Sequence, residues 1–179
     1  MRCTNPRFRF CHLFPRRTCT AANVFPRDLL AAAKDLANSS KGKPRQAQLT
    51  RAVSTAYYAM FHTLARCCAD LLIGGPRSSR SIPAWTQVYR AVDHNSAKTA
   101  CTNKSVIQKF PQEIQNFANL FVEMQKKRHD ADYNPNARVF KSAVLDDISI
   151  VEITINAFNG APPKDRRAFA AWVLLKQRN

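Results

Sequence analysis

The stretch KKRHDADYNP, Lys126–Pro135, gathers the side-chain types that bind anions and move protons: two lysines, an arginine, a histidine, two aspartates and a tyrosine. A second set lies upstream, where Arg51, Thr55, Tyr58 and His62 recur at steps of four, three and four. On a helix, that spacing draws one polar line over successive turns. Guanidinium groups suit phosphates and carboxylates, and imidazole exchanges protons near neutral pH. A phenol, with an ordinary pKa of about 10, does so poorly.

Apolar periodicity shows which elements carry these groups. Leu49, Val53, Ala56, Met60, Leu64, Cys67 and Leu71 form one helical face and predict a helix from about Arg45 to Ile73. Tyr57, Phe61, Cys68 and Leu72 widen that face. The polar line lies well away from its centre. It is therefore a solvated face, a Tyr and His satisfied at the core edge, or one wall of a cleft. Downstream, Ile107, Phe110, Ile114, Phe117, Phe121 and Met124 make a near-heptad seam, with Pro111 near the first turn. The next step of four lands on Arg128. A charge in register with an apolar stripe is costly unless paired, so Arg128 should meet a carboxylate, a cleft or a subunit interface. Asp132, one turn on, is the local partner.

The remaining elements follow the same logic. Pro26 suits the first turn of a helix running to Asn38, and SSKGKP (Ser39–Pro44) breaks the chain. GGPRSSRSIP is a loop, followed by a short helix around Ala84–Asp93 and a polar connection to about Thr102. A further helix, about Ala137–Phe158, carries Phe140, Val144, Ile148, Val151, Ile155 and Phe158 as its stripe. NGAPP ends it, and a last helix spans about Lys164–Gln177. No strand pattern is visible. The expected class is all-α, a bundle of four main helices with short additional ones. Residues 26–160 would form the bundle and 161–179 a C-terminal helix. Residues 1–25 hold five arginines and no acid, and are expected to be a disordered basic arm or the product of a start codon placed too far upstream.

The net charge of +16 suits a polyanionic partner, RNA or DNA first. Cys3, Cys11, Cys19, Cys67, Cys68 and Cys101 match no metal-ligand spacing even with His12 nearby, so reduced thiols are expected and neither metal nor cofactor is. No apolar run approaches the roughly twenty residues of a membrane span. Arg16-Arg17 is not followed by the apolar core of an export signal, so a cytoplasmic protein is expected.

RAVSTAYYAMFH (Arg51–His62), followed by RHDADY (Arg128–Tyr133), resembles the HEPN superfamily of helical prokaryotic domains. The likeness is to the branch that combines an R..YYA.FH helix with an R..ADY helix end, and it covers about residues 26–160. It implies an antiparallel four-helix bundle, usually a homodimer. Many members are metal-independent ribonucleases of toxin–antitoxin, CRISPR or abortive-infection systems. There an arginine stabilises the scissile phosphate, and a histidine about a turn later shuttles protons across the dimer. Here the positions open to that histidine hold Tyr133, Asn134 and Pro135. Arg128 and Tyr133 match the motif, and His62 is the imidazole the second helix could bring in. Arg51, Tyr58 and Asp132 would line the same cleft as substrate-binding residues. The implied function is an RNA- or nucleotide-associated protein with weak or no ribonuclease activity. The alternative is a non-catalytic dimeric module, for example the partner of a nucleotidyltransferase-type antitoxin.

Overall fold

The computed structural model describes residues 25–39 and 44–175, and every regular element among them is a helix. The expected basic arm, apart from Phe25, lies outside the described residues. Helix α1 (Pro26–Asn38) starts on a proline whose fixed φ suits the first turn. Helix α2 (Gln46–Leu72) follows. It ends where the backbone nitrogens of Ile73 and Gly74 close onto the carbonyls of Ala69 and Asp70 at 3.0 and 3.1 Å. Gly74 takes a φ of 129°, which side-chain-bearing residues rarely adopt.

Next come α3 (Ile82–Ala91), α4 (His94–Thr102), the single turn α5 (Lys104–Ile107), α6 (Gln112–Tyr133), α7 (Lys141–Gly160) and α8 (Pro163–Leu174). Helix α2 packs against α1, α3, α6, α7 and α8. Its residues Tyr57, Met60 and Leu64 are fully buried, together with Phe117 and Phe121 of α6, Ile148 and Phe158 of α7, and Phe169 of α8. The Phe117 and Phe158 rings stack at 4.2 Å, and Phe169 meets Phe158 edge-on at 6.0 Å. The C-terminal helix thus shares the core with the rest.

Four expectations change. The seam breaks before Pro111: Ile107 ends the turn α5 and Phe110 precedes the Pro111 cap of α6, so only Ile114 onward shares one helix. The polar connection after Asp93 is largely helix α4, because the Asp93 carboxylate accepts the backbone N–H groups of Asn95 and Ser96 at 3.0 and 2.8 Å and caps it. Its buried side chains are only Ala97 and Cys101, too small to mark an apolar stripe. The seventh helix begins at Lys141 instead of Ala137. Before it, the Gln46 side chain brackets Val139, donating to its carbonyl and accepting from its N–H, both at 3.0 Å. That bracket holds the backbone out of the helix and leaves Phe140 74% exposed instead of in the stripe. Leu72, expected to widen the face of α2, is also exposed.

Candidate functional site

Helices α2 and α6 bring the two sequence motifs together. Arg128 Nε lies 2.9 Å from Asp132 Oδ2, with the two side chains 21% and 20% exposed. The Nε–H is not aimed at that oxygen and has no aligned acceptor, so the contact is an ion pair without a directed hydrogen bond. Asp132 is held from across the bundle: the buried Ser54 hydroxyl donates to its Oδ1 at 2.6 Å. Arg128 Nη2 reaches the Tyr58 hydroxyl at 3.4 Å, the limit of a hydrogen bond. Its Cζ stands 5.8 Å from the Tyr58 ring centroid and 5.7 Å from that of Tyr133. Burial works against the guanidinium charge, but Tyr58, Asp132 and Tyr133 more than offset it, so Arg128 stays above its ordinary pKa. Among the described residues Nη1 has no partner.

Behind Tyr58 lie two histidines, each tied to a tyrosine. His62 Nδ1 shares a hydrogen bond with the Tyr89 hydroxyl at 2.6 Å, and His94 Nδ1 shares one with Tyr57 at 2.7 Å. Burial lowers the pKa of both rings. His94 adds to the effect on His62, and Arg128 adds to the effect on His94. Burial pushes the Tyr57 hydroxyl well above its ordinary range, so it stays protonated beside His94. The His94 ring also lies 3.9 Å from that of Phe61. Gln125 donates to the His94 carbonyl at 3.2 Å, while its own buried side-chain oxygen has no partner among the described residues.

The rings continue as a ladder. Tyr58 stacks near His62 at 6.1 Å, His62 near Tyr89 at 5.9 Å, and Tyr89 on Trp85 at 5.1 Å. The Arg80 guanidinium caps the far end, 4.7 Å from the Trp85 ring. Asp70 fixes that end by accepting from both Arg80 and the Trp85 indole, at 2.9 and 2.7 Å. At the other end Tyr133, 64% exposed, stands between Arg128 and the exposed His129, whose ring is 4.9 Å away.

Of the residues singled out in the sequence, Arg128, Asp132, Tyr133, Tyr58 and His62 fall in this connected cluster. Arg51 does not; it is exposed, and its carbonyl accepts the Thr55 hydroxyl at 2.7 Å. His62 is separated from Arg128 by the Tyr58 ring. Ser54, Tyr57, Tyr89, His94 and Gln125 were not foreseen. Ser54 had a local signal, since it precedes Tyr58 and His62 at steps of four. His94 had one in its place directly after a capping aspartate. No group of three metal-ligating side chains occurs among the described residues.

In chemical terms the cluster presents one edge of a partly neutralised guanidinium beside exposed phenol and imidazole rings. The two neutral imidazoles stand behind it with their Nδ1 atoms already engaged. Comparison of the chain with protein-family models, with curated proteins and with solved structures found no match.

Proposed function

We propose that the chain is a HEPN-like helical protein of a prokaryotic toxin–antitoxin or defence type, working in the cytoplasm as a homodimer, that holds RNA at the Arg128 cluster without cleaving it efficiently. One observation carries this reading: among the described residues, Arg128 is neutralised along one edge by Asp132, keeps Nη1 unpartnered beside Tyr133, and forms no hydrogen bond with an imidazole. A phosphate can use the free edge, aided by the chain's charge of +16. Strand cleavage would further need a base and an acid flanking that phosphate. His62 and His94 have their Nδ1 atoms engaged by Tyr89 and Tyr57, and neither hydrogen-bonds Arg128.

The test is single-stranded RNA incubated with the full chain, scored for binding across a salt series and for cleavage. Salt-sensitive binding, weakened severalfold by Arg128→Ala and accompanied by little or no cleavage, is the expected result. Robust cleavage, lost in Arg128→Ala and in His62→Ala with the fold intact, overturns the non-catalytic part.

A second reading, a dimeric module that receives a protein such as a nucleotidyltransferase, is favoured by the exposed Ile150 and Ile153 of α7. Under it, Arg128→Ala leaves RNA binding untouched, and charged substitutions at Ile150 and Ile153 abolish the assembly.

A further inference from the structure

Helices α1, α2, α7 and α8 line a half-open cavity of about 940 Å³, at the upper end of the range for small-molecule sites. Three arginines from three helices line it: Arg27 on α1, Arg66 on α2 and Arg166 on α8. Among the described residues none of them has a carboxylate within ion-pair distance. Every Asp and Glu of the chain lies within those residues, so the rest of the sequence holds no acidic side chain to neutralise them.

The two acids of the lining are already paired. Asp70 binds Arg80 and Trp85, and Glu152 binds Lys34 of the same lining at 2.7 Å. Arg166 is steered by its Nε, which donates to the Ala161 carbonyl at 3.0 Å. Burial pushes the neighbouring Cys67 thiol up to about 11, so it stands beside Arg166 as a neutral group. Arg66 is placed by the Phe25 ring, 4.9 Å from its Cζ. Leu30, Leu71 and Ile155 add apolar surface to the same lining, beside the polar Thr63, Asn156 and Asn159.

Like charges gathered around one space repel each other, and an anion within it turns that repulsion into attraction. Three guanidiniums exceed what one carboxylate neutralises and suit a dianionic phosphate, which accepts several forked donors at once. The apolar side chains of the lining give an organic group attached to that phosphate surface to pack on. We infer that this cavity binds a small organic phosphate, its phosphoryl group among Arg27, Arg66 and Arg166 and its apolar body against Leu30, Leu71 and Ile155. The inference does not depend on the RNA reading, because none of the three arginines belongs to the Arg128 cluster.

Calorimetric titration of the full chain with 1-naphthyl phosphate, inorganic phosphate and 1-naphthol tests both halves of the site. Saturable one-to-one binding of the ester is expected, at least tenfold tighter than either fragment. Arg66→Gln and Arg27→Gln should each weaken it about tenfold, whereas Arg138→Gln, an exposed arginine outside the lining, should leave it unchanged. Arg27 is exposed on the first turn of α1, so its substitution reads binding without unfolding the chain. The inference fails if the ester does not saturate, if either fragment binds as tightly, or if neither arginine substitution weakens the complex.

Discussion

Asp132 joins two helices through its two oxygens, one 2.9 Å from Arg128 Nε and the other accepting the Ser54 hydroxyl at 2.6 Å. The carboxylate therefore competes with any incoming phosphate for the same guanidinium. Asp132→Asn keeps an acceptor for Ser54 and removes the competing charge. RNA affinity at low salt should rise severalfold by fluorescence anisotropy. Stability in urea should fall by about 1 kcal/mol, the scale of one hydrogen-bonded charge contact. A fall in affinity would mean that Asp132 itself takes part in holding the ligand.

The two histidines give the fold a pH dependence of definite sign. Their folded pKa values lie below the ordinary one, chiefly through burial, so the unfolded chain binds protons more readily. The stability they contribute is complete above about pH 6.5, the unfolded value, and is lost as the pH falls through the lower folded values. Thermal melts should show Tm dropping between pH 7 and pH 5. His94→Gln should flatten part of that drop; an unchanged slope would show that His94 titrates as freely folded as unfolded.

The stacked pair of Phe117 and Phe158 sits where α6, α7 and α8 meet, with neither ring accessible to solvent. Phe117→Ala removes most of a buried ring and leaves a cavity that close-packed neighbours fill only in part. The expected cost is about 3–5 kcal/mol by denaturant unfolding. A cost under about 1 kcal/mol would show that the three helices collapse freely around the gap.

Gly74 and Gly75 make a paired test of backbone geometry. Gly74 has a φ of 129°, and a Cβ there would run into the Ser78 hydroxyl, whereas one on Gly75 meets open space. Gly74→Ala should cost about 1–3 kcal/mol, and Gly75→Ala should change stability little. Equal effects in urea melts would remove the backbone explanation.

The ion pair of Arg128 and Asp132 was legible in the sequence because both halves of the inference are local. An arginine in register with an apolar stripe calls for a carboxylate, and one stands a turn away. The all-α class was legible for the same reason, since the stripes of α2 and α6 are long and regular. The contacts that complete the cluster come from chain segments distant in sequence. Ser54 and Asp132 are 78 residues apart, and Tyr57 and His94 are 37 apart, so no spacing rule links them. Helix α4 carries no periodic signal in the sequence because its buried residues, Ala97 and Cys101, have little apolar surface. Phe140 was misplaced because its position depends on Gln46 binding the backbone of Val139, 93 residues away.

That bracket also bears on the order in which the chain assembles. Closing it must bring residues separated by half the molecule into contact, and loop-closure entropy makes such a contact dear until helices on both sides are docked. The start of α2 and the entry to α7 should therefore lock after the transition state for folding. Weakening the bracket would hasten unfolding and leave the rate of folding nearly unchanged.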